Sequence, residues 1–303
     1  RVVPWKRHAR RYEPYQRSVH IGRTHNSPFC GLTNDGNTCY CIAALQALKH
    51  LNIQRHSQRH LVSRNLDNVF QTMCNNMPKE SPFSVIPLVN AMNASLYRPV
   101  FTVSQYEDAG EFLMFILDHL HFKEGLFTSW PCQFDCPAGH SSLRMEGGQR
   151  HILHLTLPEV AADATIEKMY NNHFAQLDVV PLLCEHPVRN RICGKRGNGL
   201  QICVEGDLTI LGINRHTDLL SNRKNLMNIL PSPVFNQKIA KVIICHRGDR
   251  VDAGHWLCFL NDTVGNTGWW LLDDNHLPVQ SSPWENQSVL THSGYTINYL
   301  VYV

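Results

Sequence analysis

The chain has 303 residues, 43% of them hydrophobic and only 17% charged, with a formal net charge of +3 at neutral pH. That supplies apolar material for one large or two ordinary domains and too little charge for a disordered chain. No apolar run of about 18 residues occurs, so neither a membrane span nor a membrane partner is expected.

Residues 1–30 read as a basic extension. Seven Lys/Arg (Arg1, Lys6, Arg7, Arg10, Arg11, Arg17, Arg23) stand there against Glu13 alone. A solvated linker is the plainer reading, ahead of a nucleic-acid or nuclear-transport patch, and nucleic acid is not expected as a partner. Trp5, Tyr12 and Tyr15 leave docking on the domain open. The opening residues carry neither an initiator Met nor an apolar signal region, which reads as a segment of something longer or a processed product. Eleven cysteines in unrelated contexts do not make a disulfide framework, and the expected compartment is reducing, cytoplasmic or nuclear.

The stretch from Gly31 to Tyr40 organises the remainder. Asn37 and Thr38 are helix-capping types, and Ile42, Leu45 and Leu48 then recur at helical spacing. A helix starting close to Cys39 and burying one face is expected. A thiol placed there meets unpaired N–H groups and the positive end of the macrodipole, which favour the nucleophilic thiolate. The Gly31–Gly36 loop can turn N–H groups or the Asn34 amide toward a developing oxyanion. A polar bridge over 52–60 follows, then a helix over 61–73. Pro78, Pro82 and Pro87 punctuate the next stretch. A second strong helix spans 105–120, with Glu107, Asp108 and Glu111 in its first turn.

After about Phe127 the apolar period changes to two. Strands are expected over 153–157, 208–213, 239–245, 256–260, 269–272 and 295–303. Their long separations fit a mixed or antiparallel sheet better than repeated βαβ units. The fold class is therefore α+β, helices first and sheet second.

A cysteine nucleophile needs a base within reach, and the base needs an orienting group. Among 18 histidines the informative one is His255. It opens a strand after the Gly-containing loop that follows His246. Asp273 and Asp274 end the next apolar strand, and in a hairpin with the His255 strand Asp273 would accept the Nδ1–H of His255.

These residues carry a resemblance. Gly31-Leu-x-Asn34-x-Gly36-Asn37-Thr38-Cys39-Tyr40 resembles the Cys box of the ubiquitin-specific proteases. His246-x-Gly248, Gly254-His255-Trp256 and Trp269-x-x-Leu272-Asp273-Asp274 resemble their His box. Asp108-Ala109-x-Glu111-Phe112-Leu113 is similar to the acidic helix motif between them. Leu208–Arg215 and Tyr299–Tyr302 resemble the strands that flank the His box. Asp35, Cys41, Ile42 and Trp256 depart from the usual family residues and mark a divergent branch.

The resemblance implies a papain-like α+β fold, with a helical thumb over 31–126 and β-rich fingers and palm over 127–303. It implies Cys39 as nucleophile, His255 as general base and then acid, Asp273 as orienting acid, Asn34 as oxyanion donor and Asp274 in its support. Asp108, Glu107, Gly254, Trp256 and His246 would face the substrate. The implied reaction is thiol-dependent release of ubiquitin or a ubiquitin-like modifier from its conjugates, with no cofactor for catalysis. The alternatives are a catalytically silent modifier-binding module of the same fold and a basic-armed scaffold protein.

Family fingers often hold a structural zinc between two cysteine pairs. The first pair here is Cys132-x-x-x-Cys136. The second is imperfect: Cys193 sits where a ligand is expected, Asn190 stands at its partner position, and Cys184 or His186 would substitute. His140 is a further candidate, and a degenerate site that holds no metal is the alternative.

Overall fold

A computed structural model describes residues 29–51, 61–75, 84–95, 100–119, 126–144, 151–161, 164–175, 180–188, 191–217, 222–262, 268–274, 276–283 and 294–303. The basic extension up to residue 28, the polar bridge over 52–60, Pro78, Pro82 and Asn190 lie outside the described residues.

Helices come first: α1 (Cys39–Leu51), α2 (Leu61–Asn75), α3 (Ile86–Ala94) and α4 (Ala109–His119). The α1 sequence is rich in Ala and Leu, the strongest helix formers. The expectation that it buries one face is too modest, because every residue from Cys39 to Leu48 is buried. A helix apolar all round belongs inside a core. Its one buried amide, Gln46, donates to Cys30 O at 2.6 Å. Helix α3 falls in the proline-punctuated stretch, where Pro87 takes one of its first positions and so starts the helix rather than breaking it. Helix α4 begins at Ala109, later than the periodicity suggests, because Asp108 caps it. Asp108 Oδ1 accepts from Gly110 N at 2.7 Å and Glu111 N at 3.0 Å.

The strands are β1 (Cys132–Asp135), β2 (Ser141–Arg144) and β3 (Ile152–Thr156), then, after helix α5 (Ile166–Ala175), β4 (Val180–Leu183), β5 (Pro187–Val188), β6 (Arg191–Ile192), β7 (Arg196–Gln201) and β8 (Thr209–Asn214). β9 (Val234–Phe235), β10 (Lys238–Arg247), β11 (His255–Asp262), β12 (Gly268–Leu272), β13 (Val279–Gln280) and β14 (Tyr295–Tyr302) complete the set. A large sheet runs in the order β13-β12-β11-β10-β14-β8-β3, with β9 added to β10. Its pairings are antiparallel except for the parallel β3–β8 contact. A second sheet runs β2-β1-β7-β4, and β5 pairs with β6 in a small hairpin.

Both faces of the large sheet are covered, which explains the unbroken apolar runs in its central strands. On β10, Val242 and Ile244 face the core that contains α1 and α4, while Ile243 and Cys245 face the core that contains Ile166 and Met169 of α5. On β11, Trp256, Cys258 and Leu260 face the first core, and Leu257 and Phe259 the second. Among the described residues the second sheet has a small cluster, Phe134, Cys136 and Cys184 with Leu182 and Cys193 against it.

Candidate active site

The β11–β12 register pairs Cys258 with Leu272, so the acids that follow β12 run alongside the residue that opens β11. His255 Nε2 lies 2.6 Å from Asp273 Oδ1 and 3.8 Å from Asp274 Oδ2. The expected pairing of Asp273 with Nδ1 is therefore corrected to Nε2. Geometry is the reason: His255 stands at the strand start with its outer nitrogen toward the acids, and this leaves Nδ1 for the opposite neighbour.

That neighbour is Cys39, the first residue of α1, which hydrogen-bonds the His255 side chain. Burial works against a charge on the His255 ring. The hydrogen bonds to Asp273 and Cys39, together with the charges of Asp273 and Asp274, outweigh it and push the imidazole up to about 11. The ring is thus held as an imidazolium beside a sulfur.

Asn34 ties the glycine loop to the same acids. Its Nδ2 donates to Asp274 Oδ2 at 2.7 Å, while its Oδ1 accepts from Gly36 N and Thr38 N at 3.2 and 3.1 Å. A side-chain amide carries two N–H groups, so one remains for a ligand. The Thr38 hydroxyl does not cap α1 as expected; it turns back, accepting from Asp35 N at 3.1 Å. Asp274 is 9% exposed and adopts the left-handed conformation, φ +49°, which Asp tolerates better than most residues. That twist lets its carbonyl accept from Leu32 N at 3.0 Å while the carboxylate reaches Asn34. Burial raises the Asp274 carboxyl to about 6, with His255 and Asn34 pulling the other way.

Asp108 and Glu107 precede α4 rather than lying within it. Besides capping α4, Asp108 Oδ1 accepts from Tyr299 Oη at 2.6 Å. Glu107 O accepts from Trp256 Nε1 at 3.1 Å, and burial raises the Glu107 carboxyl above its usual value. Gly254 sits directly before His255 as expected. The substrate-facing expectation for Trp256 and His246 does not hold in this structure, since each is only 1% exposed. Their rings pack on each other at 4.6 Å and on Tyr106, bracing the sheet beneath the site. Lys224, whose Nζ donates to His246 Nδ1 at 2.6 Å, and Tyr299 escape the sequence reading. A lysine in a polar loop and a tyrosine in a closing strand carry no local sign of such partners.

At the tip of the second sheet, Cys136, His140, Cys184 and Cys193 bring their ligand atoms within 4.8 Å of one another. Cys136 Sγ and Cys193 Sγ are 3.8 Å apart, and Cys184 Sγ is 3.4 Å from His140 Nδ1. A tetrahedron of Zn–S bonds near 2.3 Å spans about 3.8 Å from sulfur to sulfur, so three thiols and an imidazole fit a structural zinc. Burial disfavours charge on Cys136, but hydrogen bonds from Ala138 N and from the neighbouring thiols lower it overall, whereas burial and the neighbouring thiols raise Cys184, so the cluster favours one thiolate over several while it holds no cation. Cys132 is not in this group, and its assignment as a ligand is corrected. Four residues of extended strand separate it from Cys136 by about 13 Å, and its sulfur packs against Gly199 of β7. The turn from Cys136 to His140, closed by Cys136 N donating to His140 O at 2.8 Å, brings His140 into the group instead. His186 stacks on His140 with ring centres 4.1 Å apart.

No curated protein matches the chain in sequence. Two solved structures share the fold: the SAGA DUB module Ubp8/Sgf11/Sus1/Sgf73 bound to monoubiquitin, with TM-score 0.61, and the same module bound to ubiquitin aldehyde, with TM-score 0.58. Each is 15% identical, and each match covers 94% of this chain and 71% of the other. No described helix is long and apolar enough to cross a membrane. The family described as ubiquitin carboxyl-terminal hydrolase matches residues 30–181. The chain belongs to the ubiquitin carboxyl-terminal hydrolase family and carries the fold of its ubiquitin-specific proteases.

Proposed function

We propose that the chain is a thiol isopeptidase that releases ubiquitin, or a ubiquitin-like modifier, from conjugates. One observation carries this reading: the His255 ring is held between the Asp273 carboxylate and the Cys39 thiol, with its charge stabilised. In the reaction, the Cys39 thiol passes its proton to His255, and the thiolate so formed attacks the carbonyl carbon of the modifier's C-terminal glycine. The oxyanion takes hydrogen bonds from the remaining Asn34 N–H and the N-terminal amides of α1. The tetrahedral intermediate collapses to a thioester as His255 gives its proton to the departing lysine amine. Water, losing a proton to His255, then attacks the thioester and frees the carboxylate and the thiol. A positioned acid–base contributes about 10²–10⁴-fold and one oxyanion donor on the order of 10²–10³-fold.

In this reading residues 31–126 form the thumb and 127–303 the fingers and palm. Asp108 and Glu107 face the modifier's tail, and Asp274 orients Asn34. A zinc held by Cys136, His140, Cys184 and Cys193 would replace an apolar core at the finger tip. It serves the fold and takes no part in the cysteine chemistry.

The test is reaction with C-terminal electrophile probes of ubiquitin and its relatives. One covalent adduct at Cys39 with at least one probe is expected, absent in Cys39→Ala. Labelling of none, or labelling that survives Cys39→Ala, overturns the proposal. Binding of ubiquitin without adduct formation would point to the silent module.

A further inference from the structure

Residues 222–225 run along the turn that leads into His255. Lys224 N donates to Asp249 O at 2.8 Å, Val251 N to Asn222 O at 2.9 Å, and Asn222 Nδ2 to Asp252 Oδ2 at 2.7 Å. Lys224 itself is only 5% exposed. Its Nζ donates both to His246 Nδ1 at 2.6 Å and to His246 O at 2.9 Å, and Thr296 Oγ1 reaches the same oxygen at 3.3 Å. Burial first, then the charge of Arg215 at the β8 end, lowers the Lys224 ammonium to about 7, with Cys245 of β10 and Asp108 before α4 pulling the other way. Arg215 spends its own guanidinium on Ile297 O, Asn225 O and Met227 O, which stitches the same loop to β14.

The His246 ring is neutral: burial first, then the charges of Lys224, His255 and Arg215, hold it down to about 2. A neutral ring that accepts at Nδ1 carries its hydrogen on Nε2. Among the described residues that Nε2 is buried with no hydrogen-bond partner. It occupies the space that a side chain on residue 254 would need, since a Cβ on Gly254 would collide with it and with Arg247 O. The main chain just before His255 is therefore seated on the edge of the His246 imidazole.

We propose that Lys224 is a positioning residue for His255: it locks the His246 ring in one tautomer and orientation, and that ring seats Gly254 and so sets the reach of His255 to Cys39. The proposal rests on the reading of His255 as the base. Without the ammonium, Nδ1 of a buried imidazole loses its donor, and the ring is free to turn or exchange tautomers. Displacements of about 1 Å at a reacting group cost on the order of 10²-fold in rate.

The experiment follows iodoacetamide alkylation at the Cys39 peptide against pH, together with turnover of a ubiquitin C-terminal fluorogenic substrate, in Lys224→Met, Lys224→Arg, His246→Phe and the Lys224→Met/His246→Phe double variant. Lys224→Met is expected to lower kcat on the order of 10²-fold with KM little changed. It should also shift the pH profile of Cys39 alkylation, while Lys224→Arg recovers part of both. The double variant should be no worse than His246→Phe alone. A fall in thermal stability with an unchanged alkylation profile and unchanged kcat overturns the proposal, as do additive effects in the double variant. Should Lys224→Met not fold, an unchanged alkylation profile in His246→Phe overturns it equally. Alkylation needs no modifier, so it reads the link from Lys224 to Cys39 even if no conjugate is cleaved.

Discussion

Asp273 is bound to His255 through Nε2, at 2.6 Å, and this assigns the other ring nitrogen to the Cys39 side. The acid and the sulfur therefore act on one ring. Proton transfer at one nitrogen can then proceed while the other stays anchored.

Replacing Asp273 by Asn should remove most of that anchoring charge. Turnover is expected to fall between about 10²- and 10⁴-fold. Stability should change with pH in a specific sense. The folded His255 is raised to about 11 from 6.5, so its contribution is complete below 6.5 and is lost as pH rises through about 11. Denaturant titrations between about pH 6 and pH 10 should show the wild type losing stability as pH rises, with a shallower loss in Asp273→Asn. Equal slopes would mean that Asp273 does not hold the imidazolium.

Asp274 should behave as a buried acid. Its folded value is about 6 against an ordinary 3.8, so the folded state takes up a proton and this group's contribution declines as pH rises through about 6. Asp274→Asn should erase that part of the pH dependence. Because Asp274 Oδ2 holds Asn34, Asp274→Ala and Asn34→Ala are each expected to lower kcat by about 10²–10³-fold, with modifier binding kept. Asp274→Asn, which retains an oxygen facing Asn34, should lose much less. Steady-state kinetics with a binding assay on the Cys39→Ala background separate the two effects.

The finger-tip cluster predicts about one zinc per chain, measured by elemental analysis of the purified protein. Cys136→Ser, Cys184→Ser and Cys193→Ser should each lose it and lower the melting temperature, as should a strong chelator. Cys132→Ser should keep the metal. Retention in the first three, or loss in the last, would refute the ligand set.

Helix α4 is fastened to the sheet at one spot. Tyr299 Oη donates to Asp108 Oδ1, and the same ring lies where a side chain on Gly110 would have to go. Tyr299→Phe should cost about 1.5–3 kcal/mol, the usual range for a hydrogen bond to a charged group. Gly110→Ala should destabilise through overpacking by about 1–3 kcal/mol. Chemical denaturation measures both, and a neutral Gly110→Ala would show that the helix has room to shift.

Much of the molecule is legible in one dimension. The apolar period separates α1, α2 and α4 from the strands of the large sheet, because burial repeats locally along an amphipathic or doubly covered element. Cys39, His255 and Asp273, which the structure brings together, each sit beside a local signal: a glycine loop before a helix, a Gly-His strand start, a strand ending in acids. Helix α3 is obscured because Pro87 signals a break in general but a start in this position. The short strands β5, β6, β9 and β13 are too brief for any period to register.

What tertiary structure alone decided is which atoms meet. The strand register set the ring nitrogen that Asp273 holds, and the Cys136–His140 turn chose His140 over Cys132. Packing of the sheet against α1 and α4 took Trp256 and His246 out of reach of solvent, and a loop far along the chain brought Lys224 beneath the turn before His255. Local composition dictates which segments become helix or strand, since that depends on neighbours in sequence. Hydrogen-bond partners and metal ligands depend on how those segments cross, and residues 20 or 200 positions apart leave no periodic trace of their meeting.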